Sequence, residues 1–253
     1  MRFAFKFAYN GRSFYGYARQ PGLKTVEGEL LKVLMKQGFI ENPRVSFFRS
    51  ASRTDKGVSA TGNVVTFNTD SCVENILECL SCELDDIIVY GFKKVKPIFN
   101  PRYARYRWYR YYLVDQGLDV EKILSAASFF TGEHDFSNFA RVEKFRNPVR
   151  TLENIIFTKE KDFLIIDFYA QSFLWQQVRR IVSVFEKIGK GVLEEEQVKK
   201  ALSQPDKRFD FSLSPPQPLI LKDVIYDFAF EYDETLFKKI YDLEEKLVSS
   251  LLG

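Results

Sequence analysis

The 253-residue sequence holds a single histidine, His134, and only three cysteines, Cys72, Cys79 and Cys82, all in one short stretch. An odd, clustered set of cysteines excludes a disulfide framework, and one distant histidine cannot complete a zinc site. Reduced cysteines on a helix of a cytoplasmic protein are the expectation. Catalysis by a Ser-His or Cys-His pair would rest wholly on His134, in GEHDFSNF, where a surface or packing role is the alternative. No apolar run approaches the ~18–20 residues of a membrane span. The N-terminal MRFAFKFAYNGRSF alternates like a strand and lacks a signal peptide's continuous apolar segment. There is no glycine-rich phosphate loop. The acidic run Glu194, Glu195 and Glu196 reads as the solvated start of a helix rather than a metal cluster.

Aromatic residues, in contrast, are plentiful: 25 Phe and 13 Tyr must be buried or used. Hydrophobic and charged fractions of 45% and 28% are those of an ordinary globular protein. The length suits one large domain or two small ones. The net charge of +3 is modest, but it is unevenly spread. Residues 1–114 carry 18 Lys/Arg against 10 Asp/Glu, and residues 115–253 carry 19 against 24. Residues 87–114 have seven cations and no carboxylate. Such a stretch either attracts a polyanion or is a solvated basic face.

Hydrophobic period orders the elements. RFAFKFAY (2–9) alternates as a strand, and Thr25 caps a helix over 26–37 with Glu27 and Glu29 in its first turn. VSFFRS (45–50) and NVVTFN (63–68) read as strands around the loop SRTDKGVSATG. Ser71 and Glu74 form a capping box for a helix to about Leu80, followed by a strand over 87–95. That order, β-α-β-β-α-β, is the split βαβ unit of ferredoxin-like folds. The second half repeats it. A strand over 105–114 leads to a helix from Asp119 to about Phe130, then strands near 152–158 and 163–170. Helices over 173–188 and 194–203, a strand over 223–232 and a charged amphipathic helix complete the chain. The boundary is expected at PIFNPR (97–102), dividing 1–100 from 101–253. Residues 204–218, with four prolines, read as an irregular loop.

Two segments could carry chemistry. Asp55 is the only carboxylate between Glu41 and Asp70, and Arg44, Arg49, Arg53 and Lys56 surround it in sequence. Neighbouring cations favour an ionised carboxylate, which beside Gly57 suits a nucleophile or base; a structural Arg-Asp turn is the alternative. In RYARYRWYRYY (102–112), a strand would place Tyr103, Arg105, Arg107, Tyr109 and Tyr111 on one face. Arg102, Tyr106, Trp108, Arg110 and Tyr112 would take the other. Interleaved rings and guanidiniums make an RNA platform, or a core strand with aromatics.

The loop SRTDKGVSATG resembles the active-site signature of the TruA family of tRNA pseudouridine synthases, usually written GRTDAGVHA. Arg53, Thr54, Asp55, Gly57, Val58 and Ala60 match, whereas Ser52, Lys56 and Ser59 replace glycine, alanine and histidine. In order along the chain, YNGRSFYGYARQ (9–20) is similar to YDGSxYxGWQxQ, ARYRWYRYYL to A-x-R-x-Y-x-Y, and GEHDFSNFA to GxHDFxxF. SFLWQQVRRIVSVF is similar to FLxxMVRxxVG, and SPPQPLILKDVIY to APPxGLxLxxVxY. The resemblance spans residues 9 to 226. It implies an α+β fold of two ferredoxin-like (βαββαβ) halves, with sheets joined across a central RNA-binding cleft, and a homodimer that isomerises uridines 38, 39 and 40 of the tRNA anticodon stem-loop. It puts the catalytic aspartate at Asp55, the active-site tyrosine at Tyr109 and a functional arginine at Arg179. Arg53 would contact substrate, and Arg105, Arg107 and Arg110 would bind RNA. The isomerisation transfers no electrons and no net atoms, so no cofactor or metal is implied. Two other readings stay open: a catalytically silent RNA-binding protein, and an unrelated hydrolase with an aspartate nucleophile.

Overall fold

The computed structural model describes residues 1–252. In chain order the elements are β1 (Arg2–Tyr9), α1 (Val26–Lys36), β2 (Arg49–Ser50), β3 (Ser59–Asn68), α2 (Val73–Glu83), β4 (Ile87–Lys94), β5 (Tyr106–Val114) and α3 (Val120–Ala127). There follow β6 (Gly132–Asp135), β7 (Val149–Glu160), β8 (Phe163–Ala170), α4 (Gln177–Gly189), α5 (Glu195–Ser203), β9 (Leu219–Ile225), β10 (Glu231–Tyr232) and α6 (Glu234–Ser249). The protein is α+β, as the element order implies. Among the described residues no helix is long and apolar enough to cross a membrane.

Two units emerge: the first joins Met1–Arg105 to the chain from Ile220 onward, and the second is Tyr106–Leu219. In the first, β1 lies between β3 and β4, antiparallel to both, and β2 pairs with β3. The order β4-β1-β3-β2 is that of a split βαβ unit. Phe3, Phe5, Phe7 and Tyr9 alternate along one face of β1, all buried, and the rings of Phe5 and Phe67 stack at 4.9 Å. The opposite face buries Arg2 and Lys6, which a core tolerates only when their charges are met. Arg2 donates to the carbonyls of Phe99 and Phe47 and to the side chains of Asn68 and Thr66. Lys6 pairs with Asp223 at 2.6 Å.

The division expected at residue 100 does not describe this grouping, because the chain from Ile220 onward packs on the first unit. β9 runs parallel to β3, with Ser59 opposite Ile220. β10 pairs with β4, and α6 sets Ile240 against Ala8 and Tyr90. The single strand expected over 223–232 is therefore two strands, interrupted between Ile225 and Glu231.

At three places the local structure departs from the simple periodic pattern. Residues 43–47 turn rather than extend: the Asn42 side chain accepts from the amides of Arg44 and Val45, an Asx turn with Pro43 inside it. Only Arg49 and Ser50 remain as strand. The helix α2 is capped by Cys72 without a side-chain bond, so the Ser71–Glu74 capping box does not form. The helix expected from 173 starts at Gln177, because Gln176 has a left-handed φ of 64° that no α-helix continues through.

In the second unit β8 lies between β5 and β7, antiparallel to both, and β6 extends the sheet beyond β7. α4 lays Ile181, Val182 and Phe185 into the core, where Phe185 meets Phe130, Phe157 and Phe168. Much of the aromatic surplus is buried here. Asp119 caps α3 through the amide of Lys122, as its position before an apolar stripe suggests.

Candidate active site

Asp55 opens a four-residue turn in which the amide of Val58 donates to its carbonyl at 3.1 Å. Gly57, third in the turn, takes a φ of +84°, the conformation that makes glycine the natural choice there. Asp55 is half-buried, and its neighbours Arg53 and Lys56 are exposed. The Lys56 ammonium rests over the Tyr15 ring, 4.4 Å from its centre.

This turn leans on the segment that follows β1. The amide of Gly11 donates to Ser59 Oγ at 3.0 Å, and a Cβ at Gly11 would fall 2.2 Å from the carbonyl oxygen of Val58. Tyr9 and Thr54 share a hydroxyl–hydroxyl bond of 2.8 Å. The amide of Tyr17 donates to the carbonyl of Thr54 at 3.2 Å, and its phenol donates to Ser50 Oγ at 2.7 Å. Tyr17 is 1% exposed, and burial pushes its phenol well above the ordinary range, which keeps it a neutral donor. Residues on both sides of Asp55 are thus fixed by backbone or buried hydroxyls. Tyr9, Gly11 and Tyr17 are not marked for such a part by charge or by a catalytic residue type. Two glycines closely spaced among aromatics are the signal that points to it.

In the second unit, Arg179 stands in the first turn of α4 and is 8% exposed. Its Nε donates to the carbonyl of Ser214 at 2.8 Å, and the amide of Ser214 donates back to the Arg179 carbonyl at 3.3 Å. The backbone of the irregular segment 204–218 therefore holds one particular guanidinium in place. Tyr111, whose phenol donates to the Pro215 carbonyl, belongs to the same corner. Burial raises its ionisation well above normal, opposed first by a hydrogen bond to Ser214 and less by the Arg179 charge. Tyr109, on the same buried face of β5, packs edge-on against Phe173 at 5.2 Å.

The three arginines expected to meet RNA are placed differently. Arg105 precedes β5, has 62% of its side chain exposed and lies 3.5 Å from Asp227. Arg107 is only 7% exposed, and its guanidinium donates to the Gln171 carbonyl. Arg110 grips Asp167 with two bonds of 2.8 Å, and Trp108 Nε1 donates to the same carboxylate. Alternation along β5 is as expected, but neither Arg107 nor Arg110 is an exposed cation. His134 keeps a local contact, a ring nitrogen 3.0 Å from the Thr131 carbonyl. Among the described residues no group of three or more His, Cys, Asp or Glu side chains could hold a metal ion.

A family model described as tRNA pseudouridine synthase matches residues 126–227. The tRNA pseudouridine synthase A of Thermococcus sibiricus is 44% identical over 95% of this chain and 91% of its own. That of Thermococcus kodakarensis is 43% identical over 94% and 90%, and that of Methanothermobacter thermautotrophicus 38% over 97% and 89%. Likeness to a chain from a crystal structure of a Cbf5-Nop10-Gar1 complex is slight: 12% identity, a TM-score of 0.38, and coverage of 73% of this chain and 45% of that one. Identity of this order along nearly the whole length leaves one conclusion: the chain belongs to the tRNA pseudouridine synthase A family of isomerases.

Proposed function

We propose that this protein converts uridine to pseudouridine at positions 38, 39 and 40 of the tRNA anticodon stem-loop, with Asp55 as its nucleophile. The reaction breaks the N1–C1′ bond, turns the uracil and rejoins it through C5. Electrons and atoms balance within one nucleotide, so the scheme calls for no cofactor. The base must first leave its stack. Asp55 then either attacks C1′ or removes the C2′ proton. Arg179, the functional arginine by the resemblance, is the cation assigned to keep Asp55 oriented and ionised, a role that a guanidinium's two parallel donors suit better than an ammonium's point charge. Tyr109 stacks on the extruded uracil or relays the C5 proton, and Arg53 fills the vacated space or contacts phosphate. Arg105 meets the RNA backbone. The working form in this reading is a cytoplasmic homodimer.

The observation that carries this reading is the construction of the Asp55 turn. A half-buried carboxylate sits between exposed cations, in a loop whose flanks are locked by Gly11, Tyr9 and Tyr17. Such locking is what a group needs if it must meet an anomeric carbon with little reorganisation. The test is tritium release to water from tRNA labelled at uracil C5, read for each of the three positions in singly substituted tRNAs. Release from all three supports the assignment. Binding without release would instead mark a silent RNA-binding protein.

A further inference from the structure

Arg180 follows Arg179 on α4, turned about 100° around the helix from it. It lines an open pocket of about 450 Å³ together with Asn138, Arg141, Gln176, Arg208 and Asp210. Three arginines and one aspartate are among its lining residues, and that aspartate, Asp210, has 75% of its side chain exposed and lies 3.8 Å from Arg180 Nη1. Arg180 Nε is buried and has no hydrogen-bond partner. A buried donor in that state favours any acceptor that enters.

The walls are constructed. Asn138, 6% exposed, donates to the Ala201 carbonyl at 2.9 Å and accepts from the Phe209 amide at 3.1 Å. It thereby fastens the segment carrying Arg208 and Asp210 to the turn after β6. Arg141 is bridged to Trp175 through their backbones, and its guanidinium lies 4.2 Å from the indole ring centre. Trp175 is nonetheless 43% exposed, an indole beside a cationic pocket.

From this geometry we propose that the pocket binds a phosphodiester of the RNA backbone while the Trp175 ring packs on an adjoining base or ribose. Guanidinium forks match phosphate oxygens, and aromatic rings beside them are how proteins hold single-stranded nucleotides without reading sequence. The space exceeds what one free phosphate needs, and the indole would add nothing to binding a small anion. The inference rests on the reading that RNA is the substrate. Because Arg179 and Arg180 are neighbours on one helical turn, the phosphate would be held close to the guanidinium assigned to Asp55.

The experiment measures binding of labelled oligoadenylate to the full chain across a range of KCl concentrations. Oligoadenylate has no uridine, so its binding is independent of isomerisation. Arg208→Gln, at an exposed position that should not disturb folding, and Arg180→Gln should each flatten the plot of log affinity against log salt. Together they should lower its slope by about 0.7 to 1, the value of one phosphate contact. Lys238→Gln, on α6, should keep the wild-type slope. Trp175→Leu should weaken oligoadenylate binding without changing the slope. Wild-type slopes in both arginine variants would overturn the proposal. So would inorganic phosphate displacing oligoadenylate at equal concentrations, which would mark a small-anion site. Tritium release is a separate readout: its absence alongside arginine-dependent binding would refute the isomerase reading and leave the pocket standing.

Discussion

Gly11 and Val58 pass so closely that a methyl group on Gly11 would lie 2.2 Å from the Val58 carbonyl oxygen. Val58 closes the turn that begins at Asp55, so this approach sets the backbone of the turn that carries the carboxylate. Gly11→Ala must push the turn away. A misplacement near 1 Å can cost about 10²-fold in rate. Turnover in the tritium assay should fall by about that factor, while the thermal transition changes by only a few degrees. Wild-type turnover in Gly11→Ala would show that the turn's position does not matter.

Asp167 accepts from Arg110 twice and from Trp108 once, and is 5% exposed. The pair raises the ionisation of Arg110 above its ordinary value, chiefly through the hydrogen bonds to Asp167. Asp167→Ala removes the carboxylate that both Arg110 and the Trp108 indole donate to, and part of the roughly 3–5 kcal/mol that breaking a buried ion pair costs should be lost. Urea unfolding should show it as a lowered midpoint. Arg110→Gln should likewise act on stability and leave the salt dependence of RNA binding near wild type.

The Lys6–Asp223 pair gives a pH signature. Burial is the main force raising the Asp223 carboxyl above the usual range, with Lys6 opposing it. A carboxyl raised in the folded state binds its proton there first, so its contribution to stability is full below the unfolded value and is lost as pH rises through the folded one. The wild type should therefore gain on Asp223→Asn as pH falls from 7 through the carboxylate range. Melting temperatures that stay parallel would contradict this.

Arg179→Ala should reduce turnover more than tRNA affinity, and Arg179→Lys should restore only part of it. The Ser214 carbonyl holds Nε, an atom that lysine lacks. Equal turnover in all three proteins would refute the pairing with Asp55. A uniform loss of tRNA affinity with turnover intact would make Arg179 a phosphate contact instead.

The first unit is largely legible in the sequence, because period-2 alternation in RFAFKFAY and a good cap at Thr25 are local signals that the core endorses. The turn at 43–47 is not, since Val45, Phe47 and Phe48 favour strands while Asn42 and Pro43 decide the backbone. That α6 and β10 belong with β4 depends on contacts distant in sequence, which no window of residues reveals. The same limit applies to Arg107 and Arg110. Alternation puts them on opposite faces correctly, but only the register placing Arg110 opposite Asp167 shows its charge to be met within the protein. The turn at Asp55 is legible for the opposite reason: Gly57, two residues after a lone carboxylate among cations, is a property of the local sequence.

In the proposed reaction the Asp55 carboxylate makes the first move. The most direct test is tritium release from C5-labelled tRNA by Asp55→Asn, measured beside tRNA affinity. Asp55 shares its turn with Val58 through a backbone bond that asparagine keeps, so the fold and RNA binding should persist. Asp55→Asn should bind tRNA with near wild-type affinity and release no tritium above background. Appreciable release by this variant would contradict the assignment.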